Sequence, residues 1–193
     1  MFIPAHFEIT DKDEIFSFIK ANAFGQLISH VDHQLFSSHI PFLVSDNNSS
    51  LICHVAKQNP QWKNIEDQEI LITFQGPHDY ISPSWYKSPG VPTWNYQSVH
   101  VYGKPKLITD LEQIKRIIEE LTGIYESSNK NPWVPEYKIS LLNVIVGIEI
   151  QITNIQCKYK LSQNRSAIDQ QQVIKELKIK GSTTLAQAMK DRL

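Results

Sequence analysis

The sequence has few of the features that mark membrane proteins, secreted proteins and metal-binding proteins. Cys53 and Cys157 are its only cysteines, and two such distant thiols form neither a metal-binding motif nor a disulfide framework. No apolar run approaches the roughly 18 residues of a membrane span. The first residues also lack the basic and apolar segments of a signal peptide. We therefore expect a cytoplasmic chain without a membrane segment.

Several catalytic and nucleotide-binding signatures are missing as well. The chain has neither a Gly-rich phosphate loop of the dinucleotide or Walker type nor a Gly-x-Ser-x-Gly nucleophile motif. Four histidines, His39, His54, His78 and His100, lie on different segments without the spacing of a metal site. Separate structural or cofactor-contacting roles for these histidines are favoured over a metal or haem set.

Charge is nearly balanced over the whole chain but not along it. The formal net charge is −1. Residues 157–193 contain eight Lys or Arg and three acidic residues, a net charge of +5, so residues 1–156 carry −6. Such a basic segment is typical of a solvated helix, and it would also suit a site for phosphate or another anion.

The periodicity of apolar residues predicts a mainly β fold with flanking helices. Strands are expected over 24–31, 35–44, 51–55, 69–74, 99–108 and 144–152, with Pro41 interrupting the second. Helices are expected over 10–22 with Thr10 as the cap, and over 59–67, 110–125, 166–179 and 183–191. Short connections between the first four strands favour antiparallel pairing. Six strands of this kind predict a small closed or partly closed barrel.

The side chains that could bind a ligand or take part in chemistry are concentrated in two parts of the chain. The stretch 54–103 is rich in Pro, aromatic and hydrogen-bonding residues, and its long loop 77–95 is either functional or held on the barrel by its aromatic rings. Lys57, just before a helix start at Asn59, could bind phosphate with the help of helix amides. The segment 160–165, Lys-Leu-Ser-Gln-Asn-Arg, is either an anion site or a helix cap with incidental charges.

Taken together, these segments resemble the PaiB family of FMN-binding bacterial proteins. That family lies within the flavin split-barrel group, which includes pyridoxamine-phosphate oxidase. The resemblance covers nearly the whole chain and is specific in combination, although each motif alone is not. It is carried by the segments 1–7, 38–41, 54–62 (His-Val-Ala-Lys-Gln-Asn-Pro-Gln-Trp), 74–78, 80–86, 91–96, 99–103 and 160–166.

The resemblance implies a six-stranded Greek-key split barrel and a two-fold homodimer that binds FMN at the subunit interface. It also implies one domain over 1–193, with 161–193 as a basic helical extension. The basic clusters would neutralise the phosphate, because an unpaired buried anion is costly, and apolar walls would cover the isoalloxazine. The implied strand residues are Ser38, His39, His54, Lys57, Asn59 and Gln75, and Trp94, Ser162 and Arg165 complete the site.

The first strand departs from the family pattern. It reads Phe24-Gly-Gln-Leu where a small residue and a threonine are expected. Gly25 either weakens this strand or lets a neighbouring group approach its backbone closely.

Three functions remain open at this point. The first is a regulatory FMN protein, because the family is described as a transcriptional regulator of sporulation and degradative-enzyme genes. The second is a flavin-dependent reductase using NADH or NADPH, which needs few side chains because the cofactor carries the chemistry. The third is a DNA-binding repressor acting through the basic C-terminal helices, although no helix-turn-helix signature is present.

Overall fold

The structure is a computed structural model that describes residues 1–135 and 137–193. Its strands are β1 (Phe24–Val31), β2 (Gln34–Pro41), β3 (Leu43–Val44), β4 (Ser50–Ala56), β5 (Ile70–Ile81), β6 (Thr93–Ile108) and β7 (Ile145–Lys160). Its α-helices are α1 (Lys12–Ala21), α2 (Leu111–Glu126), α3 (Ile139–Leu142), α4 (Ala167–Lys180) and α5 (Thr183–Lys190). Short 3₁₀ segments cover Ala5–Phe7, Pro60–Asp67 and Pro83–Trp85. Within these described ranges, no helix has the length and apolar character needed to span a membrane.

The strands form one seven-stranded sheet in the order β2-β1-β5-β6-β7-β4-β3. The pairs β1–β2, β1–β5, β3–β4 and β4–β7 are antiparallel. The prediction of a mainly β fold with flanking helices is confirmed, but the count of six strands is wrong by one. Pro41 has no N–H to donate, so β2 ends there. The chain then resumes as the two-residue strand β3, which pairs with β4.

The first hairpin shows how local sequence sets the register of the sheet. Asp32 and His33 both have positive φ angles, 50° and 64°, as a two-residue hairpin turn with the right-handed twist requires. This turn pairs Val31 with Gln34 and therefore sets Ser38 opposite Leu27. The predicted bounds of β1 are confirmed, as is the turn that the sequence predicts at Asp32-His33.

Gly25 lies where a neighbouring strand crowds β1. A Cβ atom at this position would lie 2.8 Å from Cε1 of Phe74 and 3.0 Å from the carbonyl oxygen of Thr73. A side chain at residue 25 would therefore displace the fully buried Phe74 ring. The close approach of Phe74 to the backbone of residue 25 explains why the first strand has a glycine at this position and departs from the family pattern.

The chain divides into two compact units. The first unit comprises residues 1–18, 75–100 and 156–193, and the second unit comprises 19–74 and 101–155. The long strands β5, β6 and β7 contribute residues to both. The assignment of 1–193 to a single domain stays a prediction.

In the second unit, helix α2 begins as predicted, and its buried face overlaps the predicted one. Asp110 caps it, because its Oδ1 accepts a 2.9 Å hydrogen bond from the N–H of Gln113. The buried residues are Ile114, Ile117 and Leu121, and Ile117 packs in a cluster with Leu43, Leu121, Ile52 and Ile108. The sequence predicts a buried stripe at i, i+3, i+7, i+10 and i+14, comprising Leu111, Ile114, Ile118, Leu121 and Tyr125. Ile114 and Leu121 are buried as expected, whereas Tyr125 is 52% exposed.

In the first unit, two helix caps are set by local side chains. Asp11, not the predicted Thr10, caps α1, since its carboxylate accepts from the N–H of Glu14 at 3.0 Å. The Ser166 hydroxyl caps α4 by accepting from the N–H of Asp169 at 3.2 Å. Gly181, with a φ of 93°, ends α4 in the left-handed conformation.

The predicted loop 77–95 is shorter in the structure. Strand β5 continues to Ile81 and β6 begins at Thr93, so only residues 82–92 connect them. Strand β7 likewise extends to Lys160. Pro77 and the polar residues around it break the alternation of apolar residues, which is why the sequence pattern does not mark this part of β5 as a strand.

Candidate functional site

In the second unit, a buried polar network is centred on Gln61. Its side-chain Nε2 donates to the carbonyl oxygen of Leu27 at 3.1 Å and to the hydroxyl of Ser29 at 2.9 Å. Its Oε1 accepts from the hydroxyl of Ser38 at 2.5 Å. The Asn59 side chain also donates to that hydroxyl, at 2.8 Å. The structure therefore brings Ser38 and Asn59 into direct contact, and Gln61, which sequence analysis missed, holds both.

Lys57 lies at the end of β4, immediately before this network. Its main-chain N–H donates to the carbonyl oxygen of Val144 at 2.8 Å, and its own carbonyl oxygen accepts from the indole N–H of Trp62 at 3.0 Å. Its side chain is exposed and has no ion-pair partner within 1–135 and 137–193. The backbone is fixed while the ammonium group remains available for an anion.

The amides that were predicted to assist Lys57 are not available. The N–H of Gln61 already donates to the Asn59 side chain at 3.0 Å, and Pro60 has no N–H. A phosphate-binding role for this segment therefore depends on the Lys57 side chain rather than on helix amides.

His54 and His39 lie on neighbouring parts of the second unit but in different surroundings. The Nδ1 atom of His54, on β4, is buried and has no hydrogen-bond partner in the part of the chain that the structure describes. Burial lowers the pKa of His54, so the ring is held in its neutral form. His39 is exposed on β2, with its ring stacked 6.3 Å from that of Phe24. An unpartnered buried nitrogen calls for an explanation, and a ligand atom would supply its missing hydrogen bond.

In the first unit, Gln75 and Trp94 belong to one surface formed by β5 and β6. The Gln75 amide lies 3.3 Å from Nδ1 of His78. The Trp94 ring lies 6.4 Å from the ring of His78 and 6.2 Å from that of Tyr80. Because Trp94 is 54% exposed, this surface offers a flat aromatic wall that is open to a ligand.

A pocket of about 130 Å³ also lies in the first unit. It is lined by the end of β7, the residues just beyond it, the start of β6 and the 3₁₀ segment near the N-terminus. Its walls bring the predicted Ser162 and Arg165 together with residues far away in the sequence. The polar and aromatic lining includes Phe7, Tyr86, Thr93, Lys160, Ser162 and Arg165.

Lys160 is held at the pocket by two hydrogen bonds. Its ammonium group donates to the hydroxyl of Thr93 at 2.5 Å and to the carbonyl oxygen of Trp94 at 2.7 Å. Burial, and then the positive charges of Lys158 and Arg165, lower the pKa of Lys160. The two neighbouring positive charges, which add to the effect of burial, mark a region of positive potential that an anion would relieve.

Arg165 and Ser162 are fixed by neighbours within the first unit. The guanidinium of Arg165 lies 4.4 Å above the centre of the Tyr86 ring and donates to the carbonyl oxygen of Pro89 at 3.1 Å. Ser162 has a positive φ of 68°, and its hydroxyl accepts from the side chain of the buried Asn95 at 2.9 Å. Both side chains are therefore oriented before any ligand arrives.

Sequence analysis missed several residues that shape this pocket. Phe7, Tyr86 and Thr93 carry no motif that links them to Lys160, and only the fold places them beside it. Asp169 was also missed. Its carboxylate accepts from the main-chain N–H of Lys87 and from the hydroxyl of Ser88, but a residue in the first turn of a helix is ordinarily part of the helix cap.

Each unit, taken by itself, offers groups that a cofactor with a phosphate and a polar aromatic ring would use. Lys57, Lys160 and Arg165 are cations without acidic ion-pair partners among the described residues. His54 offers an unsatisfied nitrogen, and Trp94 offers an exposed aromatic face. FMN carries the groups that these side chains would bind, namely a dianionic phosphate and an aromatic ring with a hydrogen-bonding edge.

Solved structures with the same fold define the class of the protein. One is the flavocytochrome Anf3 from Azotobacter vinelandii, with a TM-score of 0.66 and 15% identity, which covers 79% of this chain and 69% of that chain. Another is the FAD and heme binding protein from Mycobacterium smegmatis, with a TM-score of 0.67 and 11% identity, over 84% of this chain and 78% of that chain. The fold is thus the split barrel of flavin-binding proteins.

Sequence comparison identifies the family. The model of the family described as "Putative FMN-binding domain" matches residues 1–154. The chain is 38% identical over 207 residues to "Protease synthase and sporulation protein PAI 2" of Bacillus subtilis (strain 168), an alignment that covers 100% of this chain and 98% of that protein. The chain belongs to the PaiB family of FMN-binding proteins, and FMN is its cofactor. The resemblance seen in the sequence is confirmed.

Proposed function

We propose that this FMN-binding protein has a regulatory role and contributes to control of gene expression. The name of the Bacillus subtilis relative refers to protease synthesis and sporulation, which supports a role in regulation. FMN binding rests above all on one observation: the family model of an FMN-binding domain matches residues 1–154. When bound, FMN supplies one- and two-electron redox chemistry.

In the proposed site, the polar residues of the second unit bind one part of the cofactor. Lys57 pairs with the phosphate. Ser38 and Asn59, held by Gln61, contact polar atoms of the cofactor, and His39 lies beside them on β2. His54 offers its neutral ring to the polar edge of the flavin, since burial favours the uncharged form.

In the first unit, a separate set of residues is assigned to the cofactor. Trp94 covers an apolar face of the ring, and Gln75 donates a hydrogen bond from the neighbouring strand. Ser162 and Arg165 contact the phosphate end. The support for this assignment is the exposure of Trp94 and the fixed orientation of the Arg165 guanidinium.

We further propose a two-fold homodimer with the cofactor at the subunit interface. Exposed apolar residues on the β1–β2 hairpin support this proposal. Phe24 is 65% exposed and Leu35 is 72% exposed, and unpaired apolar edges of this kind favour association. Sedimentation equilibrium should give about twice the chain mass of 22.2 kDa. Leu35→Glu should shift the mass toward that of one chain, whereas a monomeric wild type would reject the dimer.

The first experiment is an absorbance spectrum of the purified protein, with the ligand identified by mass after denaturation. We expect one FMN per chain. A colourless protein that also fails to take up added FMN would reject the assignment of every site residue above.

A mutational experiment tests the phosphate contacts. Lys57→Ala and Arg165→Ala should each weaken FMN binding by roughly 1–3 kcal/mol, because each removes a charge-assisted hydrogen bond. Riboflavin, which lacks the phosphate, should bind all variants equally. Equal losses of affinity for both ligands would contradict the assigned roles.

The regulatory proposal has two alternatives with different outcomes. A reductase would bleach its flavin rapidly and saturably on addition of NADH or NADPH, whereas slow, unsaturable bleaching favours a regulatory protein. A DNA-binding repressor would bind a specific operator with a steep salt dependence. Two of the basic side chains that it would need are already paired, Lys180 with Asp79 and Arg192 with Glu14, which makes direct DNA contact the weaker alternative.

A further inference from the structure

We infer that the pocket around Lys160 and Arg165 is a phosphate-monoester site, with Lys160 and Thr93 as ligands that act together with Arg165. The inference rests on the proposed function only where FMN is the source of the phosphate. It goes beyond the proposed contacts of Ser162 and Arg165 by assigning Lys160 and Thr93 as ligands of the phosphate group.

Charge selects the class of ligand. Two cationic side chains, Lys160 and Arg165, line the pocket, and no carboxylate lines it. A phosphate monoester carries a charge between about −1.5 and −2 near neutral pH, so it matches two cations, whereas a carboxylate would neutralise only one. The guanidinium also offers a planar pair of donors that suits phosphate oxygens.

The hydroxyl groups at the pocket suit the same ligand. Thr93 already accepts from Lys160, so its own O–H proton is free to point at a phosphate oxygen. Ser162 also lines the pocket. Phosphate oxygens accept several short hydrogen bonds at once, and a set of two cations and two hydroxyls supplies them.

The third nearby cation does not compete for this ligand. Lys158 is buried, and its ammonium group donates to the carbonyl oxygen of Phe2 at 3.1 Å while lying 5.3 Å from the centre of the Tyr96 ring. It raises the local positive potential without lining the pocket, and this further favours an anion over a neutral ligand.

The volume of the pocket limits what enters it. About 130 Å³ is well below the roughly 300–1,000 Å³ of sites that enclose a whole drug-sized ligand. A phosphate group fits, but an isoalloxazine ring would remain outside. The apolar walls formed by Phe7 and Val91 would then lie against the carbon side of the ester.

The wall of the pocket is built before the ligand arrives. Asp169 accepts from the main-chain N–H of Lys87 at 2.6 Å and from the hydroxyl of Ser88 at 2.5 Å, which fixes the loop that carries Tyr86. A Cβ atom at Gly90 would lie 2.3 Å from the Tyr86 ring, so this glycine lets the loop close over Arg165. Such preorganisation lowers the cost of binding.

The phosphate could come from two sources with the same chemistry. One is the 5′-phosphate of FMN, and the other is a separate phosphorylated small molecule. We distinguish them by testing inorganic phosphate on the full chain with and without saturating FMN. Loss of phosphate binding in the FMN-loaded protein assigns the pocket to the cofactor, and retained binding assigns it to a second ligand; either result supports the site.

The test uses calorimetric titration with inorganic phosphate, together with FMN and riboflavin affinities. Lys160→Gln and Arg165→Gln should each weaken binding of the phosphate-bearing ligand at least tenfold and leave riboflavin binding unchanged. Lys160→Arg should retain most of the affinity. Lys175→Gln, which removes an exposed cation of α4, is the matched control and should behave as wild type. Circular dichroism and the unchanged riboflavin affinity establish that each variant is folded.

The possible failures are distinguishable. If FMN binds stoichiometrically but neither FMN nor phosphate affinity depends on Lys160 and Arg165, the pocket inference and the proposed Arg165 contact are both wrong, whereas FMN binding and the regulatory role stand. If phosphate binding depends on both cations but no flavin binds, the proposed function is wrong and the pocket stands. An equal effect of Lys175→Gln would reduce the result to general electrostatics and overturn the inference.

Discussion

The carboxylate of Asp169 accepts a hydrogen bond from the main-chain N–H of Lys87 at 2.6 Å, although the two residues are 82 positions apart. The same carboxylate accepts from the hydroxyl and the N–H of Ser88. One residue in the first turn of α4 thereby holds the loop that carries Tyr86 and forms part of the phosphate pocket. The Ser88 hydroxyl, followed by the N–H groups, lowers the pKa of Asp169.

Asp169→Asn should make the free energy of unfolding less dependent on pH in the acidic range. A carboxyl whose folded-state pKa lies below its usual value of 3.8 contributes stability above that value and loses it as the pH falls through the folded-state pKa. Urea unfolding from pH 7 to 2.5 should show wild type losing stability below about pH 4, with a shallower loss in the variant. Asp46→Asn, in an exposed turn, is the control. If the stability of Asp169→Asn and of wild type fell in parallel with pH, the role assigned to the Asp169 carboxylate would be contradicted.

Gln61→Met should destabilise the second unit. The change leaves the carbonyl oxygen of Leu27 and the hydroxyl of Ser29 without this buried donor, at a cost of roughly 1–3 kcal/mol for each group left unsatisfied. The free energy of unfolding in urea measures the loss. FMN affinity should fall as well, since the Ser38 hydroxyl loses the Gln61 oxygen that accepts its proton and keeps only its contact with Asn59. Gln113→Met on the exposed surface of α2 should change neither quantity, and a similarly stable Gln61→Met protein would contradict the network.

Gly25→Ala should cost about 1–3 kcal/mol of stability, because the added methyl group meets Phe74. Phe74→Leu in the same chain should recover part of the loss, so the two changes should not be additive. Gly123→Ala is the control: nothing lies within 4 Å of its Cβ position in α2, and it should stabilise the helix by up to about 1 kcal/mol. Additive losses at residues 25 and 74 would argue against their contact.

Acidification should destabilise the protein through His54. Burial lowers its folded-state pKa below the usual 6.5, so the unfolded chain binds the proton more readily and stability falls as the pH drops below about 6.5. His54→Gln should show a smaller loss between pH 7 and pH 5 in urea unfolding. His100, whose pKa is also lowered by burial, acts in the same direction, so the double variant should be flatter still. If the free energy of unfolding of His54→Gln fell as steeply with pH as that of wild type, protonation of His54 would not be the cause of the loss.

The features that the sequence itself determined are those decided by neighbours along the chain. The turn at Asp32-His33, the cap of α2 at Asp110 and the bounds of β1 depend on backbone preferences and hydrogen bonds within a few residues. The family, and FMN with it, could also be identified from short motifs spread along the chain, because these keep their residue types and order.

The tertiary structure decided what those residues touch. Lys160 meets Thr93 across 67 positions, Asp169 meets Lys87 across 82, and Gln61 joins Ser38 to β1. None of these pairs has a periodic or local signal, since each depends on how strands align in the sheet and how a helix packs on a loop. The extra length of β5 through Pro77 is decided in the same way, because pairing with neighbouring strands outweighs the weak strand preference of its own residues.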